Sequence, residues 1–191
     1  MAAELVADRT CGTCNVCCVV LTIDDPELQK PQGHRCRHAN RDNSCGIYTT
    51  RPQTCRTFHC GWRYLKWIRE PLRPDQSDVL VRLRGEISKV DGTRHLGVEF
   101  MLLSAAALKA DGLAESVAAA IAANVPVFLA IPGRPGYTAA QMRINEVLYD
   151  AVCTSDKKAV LKILGELRAK GLNGDRRRIV LSPRTPDATP S

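Results

Sequence analysis

Apolar and polar residues alternate along the middle of the chain, and this pattern predicts a small sheet. Residues 79–83 alternate apolar and basic side chains, which is typical of a strand with one buried face. Residues 86–90 follow across Gly85, and residues 96–103 follow a turn at residues 91–92. We therefore expect a three-stranded antiparallel meander in this part of the chain.

Beyond residue 112 the apolar spacing changes to three and four residues, which predicts helices. One helix starts at Leu113, and a buried strand is expected at residues 126–131. Thr138 and Gln141 have the spacing of a capping box and predict that a second helix begins there. A third helix ends at Gly171. The stripes that predict these last two helices are Ala140, Ile144, Val147, Leu148 and Ala151, and then Val160, Ile163, Leu164 and Leu167.

These patterns predict an α+β fold. We expect residues 1–70 to form an irregular cysteine-rich metal-binding module, packed on a small antiparallel sheet with about three helices in residues 71–182. Pro71 and Pro74 would end any preceding helix and favour a boundary there. A short last strand is expected at residues 179–181, and residues 183–191 have the composition of a disordered tail.

The cysteine content sets this chain apart from an ordinary domain of 191 residues. A domain of this length buries roughly 70% of its unfolded surface, so it needs no cross-links to form a core. The chain lacks an apolar run of membrane-spanning length, and residues 1–10 lack the features of a signal peptide, so we expect a cytoplasmic protein without membrane contact. Reducing compartments keep thiols free and favour metal binding or catalysis.

Eight of the nine cysteines lie within 50 residues, and their spacing indicates metal binding. A CxxC step lets two sulfurs face one ion across a turn, and Gly12 and Asn15 favour such turns. The CxxCxxC run is equally typical of iron–sulfur proteins, so zinc and iron both remain open. The predicted ligands are Cys11, Cys14, Cys17, Cys18, Cys36, Cys45, Cys55 and Cys60.

The adjacent Cys17 and Cys18 indicate more than one metal position. Side chains of neighbouring residues in extended backbone point to opposite sides, so we expect the two thiols to serve different metals or different parts of a polynuclear centre. Eight thiolates match two sets of four, but spacing does not show which cysteine joins which set. His34, His38 and His59 are more simply neighbours of the site than ligands.

An excess of arginine in this region invites comparison with nucleic-acid-binding proteins. Two divalent ions held by eight thiolates would lower the formal charge of the protein from +7 to about +3, which weakens that comparison. Arg51 and Arg56 are better explained as compensation for thiolate charge. Aromatic residues near Cys60, including Trp62, are expected to dock the module on the rest of the chain.

The same residues resemble a known family. The run CGTCNVCC, Cys36, and the run CGIYTTRPQTCRTFHC from Cys45 to Cys60 are similar to the YkgJ-like cysteine-cluster proteins with the CxxCxxCC signature, which are described as zinc- or iron-chelating. The resemblance implies metal chelation by the eight cysteines. Flagellin lysine methylases look like relatives through this segment, but residues 64–191 show no match to their catalytic part.

The leading hypothesis is a metal-binding protein that chelates zinc or iron, including an iron–sulfur cluster, with a protein partner as an open possibility. An alternative is an iron–sulfur enzyme or enzyme subunit, for example in protein methylation. Radical chemistry of the CxxxCxxC type is disfavoured, because Leu21 stands where the third cysteine would be. A nucleic-acid adaptor is the second alternative. Catalytic residues are not evident, and Cys153 reads as an apolar filler.

Overall fold

The computed structural model describes residues 4–42, 44–87, 92 and 94–183. The cysteine segment, defined as residues 11–60, contains short elements, and two more short helices follow it before the sheet. Its elements and the helices after it are α1 Val16–Val20, β1 Ile23–Asp24, β2 Gln29–Lys30, α2 Gln53–Thr57, α3 Gly61–Tyr64 and α4 Pro74–Ser77. The remaining elements are β3 Val79–Ile87, β4 Arg94–Leu102, α5 Leu113–Ala122, β5 Val127–Ile131, β6 Ala140–Arg143, α6 Asn145–Cys153 and α7 Lys157–Leu172.

The fold is mixed α/β, and its main sheet has the strand order β3-β4-β5-β6. Strands β3 and β4 pair antiparallel from Val79 opposite Leu102 to Ile87 opposite Arg94. The prediction of a three-stranded meander is wrong, because Gly85 lies inside β3 opposite Leu96 and the pairing continues past it. Of the predicted turn, Gly92 has a φ of +70°, and residue 91 lies outside the described residues.

The predicted antiparallel sheet is confirmed only in part. Strand β5 pairs parallel with β4, and α5 forms the crossover between them. Parallel neighbours need such a crossover. The predicted helix from Leu113 and the predicted buried strand are confirmed, and all five residues of β5 are buried.

The predicted start of the second helix is wrong. Residues 140–143 form β6, which pairs antiparallel with β5, and α6 begins only at Asn145. The Asn145 side chain fixes this start, because its amide oxygen accepts from the Val127 N–H and its amide nitrogen donates to the Val125 carbonyl, both at 2.8 Å. Of the remaining residues in the predicted stripe, Leu148 and Ala151 are buried in α6 and Ile144 is buried just before it, whereas Val147 is 50% exposed.

The third predicted helix is confirmed as α7. Its first turn is capped by the Asp156 carboxylate, which accepts from the Ala159 N–H at 3.0 Å. Val160 and Leu164 are buried. The predicted strand at residues 179–181 is replaced by an isolated bridge between Tyr137 and Arg178. Residues 184–191 of the predicted tail lie outside the described residues.

The two faces of the main sheet carry different cores. On one face, residues such as Val81, Phe100 and Leu129 pack against the helices, together with Trp62. On the other face, Leu80, Met101 and Ala130 from three neighbouring strands pack against Leu21 of the cysteine segment. Val16, Val20 and Phe58 surround this smaller cluster, so the sheet is the platform on which the cysteine segment lies.

A buried carboxylate, that of Glu99, lies on the same second face of the sheet. Glu99 is fully buried, and its carboxylate accepts from Arg82 Nε at 2.6 Å and from Gln141 Nε2 at 2.8 Å. Arg84 lies 3.4 Å from the same group. These partners satisfy a charge that would otherwise be costly to bury.

The two ends of the cysteine segment are held together by Arg9. Its guanidinium donates to the carbonyl oxygens of Trp62 and Ile68, both at 2.7 Å, and pairs with Glu70 at 2.8 Å. The Val6 N–H also donates to the Arg63 carbonyl at 2.8 Å. Because Arg9 precedes Cys11 and Trp62 follows Cys60, these contacts bring the first and last clustered cysteines to one place. The division at residues 70–71 stays a prediction.

We predict that Arg9→Met lowers the free energy of unfolding by about 3 kcal/mol, because it leaves buried carbonyl oxygens without donors. Urea denaturation of the variant and the parent measures this difference. Arg177→Met is the matched control, since Arg177 is exposed. Equal stability of the two variants would contradict the role assigned to Arg9.

Candidate metal centre

The clustered cysteines surround one cavity of about 570 Å³. The seven that line it are Cys11, Cys14, Cys17, Cys18, Cys36, Cys45 and Cys55. Cys60, the eighth, packs against the same apolar cluster as Cys17, and its charge acts on the Cys14 thiol. Cys153 stands apart and is exposed at the end of α6, so its interpretation as an apolar filler is wrong. The fold therefore gathers the eight cysteines that the sequence singles out and excludes the ninth.

The thiols lie near one another but are not arranged as a finished coordination shell. All nine cysteines are free thiols. Within residues 4–42, 44–87, 92 and 94–183, no three Cys, His, Asp or Glu side chains are already grouped as they would be around an ion. Metal ligation by the eight cysteines stays a prediction, and the surroundings of each sulfur decide how well it fits.

The first CxxC step forms the tight turn that its sequence predicts. The Cys14 N–H donates to the Cys11 carbonyl at 2.8 Å, and Gly12 between them has a φ of +53°. Glycine adopts this left-handed backbone without steric cost. The turn is of the kind that lets two cysteine sulfurs face one ion.

Backbone N–H groups point at two of the sulfurs. The Cys14 sulfur accepts from the N–H groups of Val16 and Asp75. The Cys60 sulfur accepts from those of Trp62 and Arg63, which lie in α3 immediately after it. Hydrogen bonds of this kind favour a thiolate over a thiol and tune the metal that the thiolate holds. Burial opposes them and raises the pKa of both thiols, that of Cys14 to about 11.

A second group of thiols lies around Cys55 in α2. Burial raises the pKa of Cys55, and the neighbouring Cys18, Cys36 and Cys45 raise it further by charge repulsion. Backbone contacts hold these residues together. The Cys36 N–H donates to the Cys18 carbonyl at 3.1 Å, and the backbones of Cys45 and Ala39 form an isolated antiparallel β-bridge.

Cys17 and Cys18 differ from the sequence-based expectation. They lie in the short helix α1 and not in extended backbone, so the reason given for their pointing apart is wrong. The two thiols form a hydrogen bond that lowers the pKa of Cys18 to about 6 and raises that of Cys17. In metal-free protein the pair therefore shares one proton across a wide pH range.

Two cations lie beside this pair. Lys30 is 5% exposed, and its ammonium donates to the carbonyl oxygens of Val19, at 2.9 Å, and Leu21. Lys30 and Arg51 both help to lower the pKa of Cys18. Arg51 also stacks on the Tyr48 ring, 3.9 Å from its centre. Arg51 thus compensates thiolate charge as predicted.

Lys30 has a role that sequence reasoning missed. Burial lowers its pKa, and the nearby Cys36, Cys18 and Cys17 offset part of that effect. The sequence around Lys30 offers no local signal of this contact, because only the folding of β2 against α1 creates it. Arg56, predicted to act with Arg51, is exposed.

The histidines lie at the margin of the site. His38 and His59 line the cavity, whereas His34 is exposed. Burial, with Arg63 and Arg51 nearby, lowers the pKa of His59 and favours its neutral form. His38 faces Arg37, whose Nε lies 3.1 Å from His38 Nε2.

Comparison of the chain with known protein families, with curated proteins and with solved structures finds no match. The resemblance to YkgJ-like proteins stays an expectation based on the cysteine motif. In the part of the chain that the structure describes, every helix is too short or too polar to cross a membrane.

We predict that Cys18 is the first of the partly or fully buried thiols to react with iodoacetamide in metal-free protein, with half-maximal reactivity near pH 6. Its lowered pKa means that the thiolate is present above that pH, whereas Cys14 stays protonated until about pH 11. Peptide mass mapping across pH 5–9 measures the labelling.

Cys17→Ala provides the control, since it removes the donor that lowers the Cys18 pKa. Labelling of Cys18 at pH 6 should then slow by about tenfold or more. An unchanged rate would show that the hydrogen bond between the two thiols does not set the reactivity.

Proposed function

We propose that this protein is a cytoplasmic metal-binding protein that holds zinc or iron through its eight clustered cysteines. The observation that carries the proposal is the gathering of the clustered thiols: seven line one cavity, Cys60 lies beside Cys14, and Cys153 lies outside the cavity lining. Thiolates are preferred ligands of zinc and of iron–sulfur clusters. Both metals suit the donor set, so the proposal covers zinc, mononuclear iron and a cluster.

The surroundings of the sulfurs support thiolates over thiols. N–H donors point at Cys14 and Cys60, and cations lie beside Cys18. Burial alone would keep the thiols protonated. A bound metal ion replaces those protons and supplies the positive charge that stabilises several buried thiolates at once.

The buried ammonium of Lys30 also fits a metal–thiolate centre. Its described hydrogen bonds go to backbone carbonyl oxygens, which do not neutralise its charge. A divalent ion with four thiolates carries a charge of about −2, so such a centre beside Cys18 would compensate Lys30 and Arg51 together.

The apolar cluster under the cysteine segment is small, so we expect bound metal to contribute to the stability of the segment. It contains four buried residues, Leu21, Leu80, Met101 and Ala130, of which only Leu21 belongs to the cysteine segment. Metal binding supplies about 10 kcal/mol or more of apparent free energy to comparable cysteine-rich segments. We expect the metal to hold this segment in its folded form.

We predict that anaerobically purified protein contains bound metal, and that metal content together with acid-labile sulfide identifies its class. Zinc or mononuclear iron gives no sulfide, whereas a cluster gives sulfide together with iron. Elemental analysis of the full-length chain makes the measurement. Protein with less than about 0.1 metal per chain, after reconstitution with either metal, would contradict the proposal.

Cysteine variants test the same proposal by residue. Cys14→Ser and Cys55→Ser should each lower the metal content, because each removes a thiolate from the coordination sphere. Cys153→Ser should retain the full content, since Cys153 is exposed and distant from the cavity lining. Unchanged metal content in both ligand variants would refute the ligand assignment.

A further inference from the structure

We infer that the eight cysteines form two neighbouring four-sulfur sites, each for one thiophilic metal centre. The first set is Cys11, Cys14, Cys17 and Cys60, and the second set is Cys18, Cys36, Cys45 and Cys55. This inference rests on the proposed function, and it assigns each thiol to a site, which the spacing of the sequence leaves open.

Backbone contacts bring the first set together from two distant parts of the chain, and a third part, residues 73–75, supports it. The turn at Gly12 joins Cys11 to Cys14 through a hydrogen bond of 2.8 Å. Arg9 ties the chain before Cys11 to the Trp62 carbonyl just after Cys60, at 2.7 Å. Arg73 Nη2 donates to the Cys11 carbonyl at 3.0 Å, and the neighbouring Asp75 N–H donates to the Cys14 sulfur.

Electrostatic contacts within the first set agree with this geometry. The charge of Cys60 acts on Cys14, and that of Cys11 acts on Cys60. Cys17 is affected by Cys14 and Cys11, as well as by its neighbour Cys18. Among the residues that the structure describes, these electrostatic contacts join no first-set thiol to Cys36, Cys45 or Cys55.

The second set is assembled by different contacts. The Cys36 N–H donates to the Cys18 carbonyl at 3.1 Å, and the Ala39 N–H donates to the Cys36 carbonyl at 3.1 Å. Ala39 in turn forms an antiparallel β-bridge with the backbone of Cys45. Cys55 follows Pro52 in α2, and its thiol is affected by the other three members and by Arg51.

The adjacent pair in α1 is the border between the sets. Cys17 faces the first set and also packs against the apolar cluster of Leu80 and Met101. Cys18 lies beside Lys30 and Arg51, which are near the second set. One turn of helix therefore presents one thiol to each site, and the adjacency of Cys17 and Cys18 in α1 makes the two sites immediate neighbours.

Alkylation of partly demetallated wild-type protein tests this division without any variant. Metal-loaded protein is treated with limiting chelator, labelled with iodoacetamide, and separated by metal content in native mass spectrometry. Chains that retain one centre should carry label on all four members of one set and on none of the other. Cys153 should be labelled in every species, which controls for reagent access.

Two results would overturn the inference. Four labels spread over both sets in the chains that retain one centre would show that the grouping is wrong. Loss of all metal in one step, with eight thiols labelled together, would show a single polynuclear centre. Both results leave the proposed metal binding intact, whereas a parent protein that binds no metal would refute the proposed function and this inference together.

Double variants give an independent test by stoichiometry. Cys11→Ser with Cys60→Ser removes two ligands of one site and should retain about half of the metal. Cys55→Ser with Cys60→Ser removes one ligand from each site and should lose both metals. The inference fails if the first pair loses all metal or the second pair retains half. Far-ultraviolet circular dichroism, with Cys153→Ser as reference, confirms that the sheet and helices remain folded.

Discussion

The contacts between the Arg9 guanidinium and the backbone carbonyls of residues 62–68 hold the two ends of the cysteine segment together. The side chain is 8% exposed, and it donates to Trp62, Leu65 and Ile68. Its plane also lies over the Trp62 ring, 5.3 Å from the ring centre. Five fixed N–H donors make arginine suited to satisfying several carbonyls at once. This closure is one of the contacts that keep Cys60 near Cys11.

The sheet gives the closed segment a surface on which to rest. Leu80, Met101 and Ala130 come from three neighbouring strands and contact the residues around α1. Gly61 lets α3 approach β3, since a Cβ there would lie 2.6 Å from Val81 Cγ1. The position of Cys60 therefore depends on sheet packing as well as on Arg9. Trp62 and Leu72, which follow the cysteine segment, are buried in the core between the sheet and the helices, and Cys60 packs against that core.

Local patterns in the sequence predicted what depends on local geometry. The turn at Gly12, the helices α5 and α7 and the buried strand β5 all follow from spacing over a few residues. Contacts between distant residues were missed. Residues 140–143 have apolar spacing that suits a helix, but they pair antiparallel with β5 and form the strand β6. Gly85 is a turn signal in sequence, yet the register with Leu96 keeps it inside β3.

At the candidate site too, the sequence predicted what short motifs encode and missed what contacts between distant residues create. Spacing singled out the eight cysteines that the fold brings near one another, because candidate metal ligands are recognised from short motifs. It did not reveal Arg9 or Lys30, whose roles come from carbonyl oxygens presented by other segments. The helical pair Cys17 and Cys18 was misread as extended backbone, since five residues are too few for a clear helical period. The assignment of the two thiols to different sites stays a proposal.

X-ray absorption at the metal edge of the purified protein tests whether cysteine sulfurs hold the metal, because it counts the atoms bound to the metal. We expect a shell of about four sulfurs at roughly 2.3 Å for zinc or iron, whether the centre is mononuclear or a cluster. Metal–metal scattering at short distance would identify a cluster within the same account. A shell dominated by nitrogen or oxygen at about 2.0–2.1 Å would contradict it, since the metal would then be bound outside the cysteine thiols.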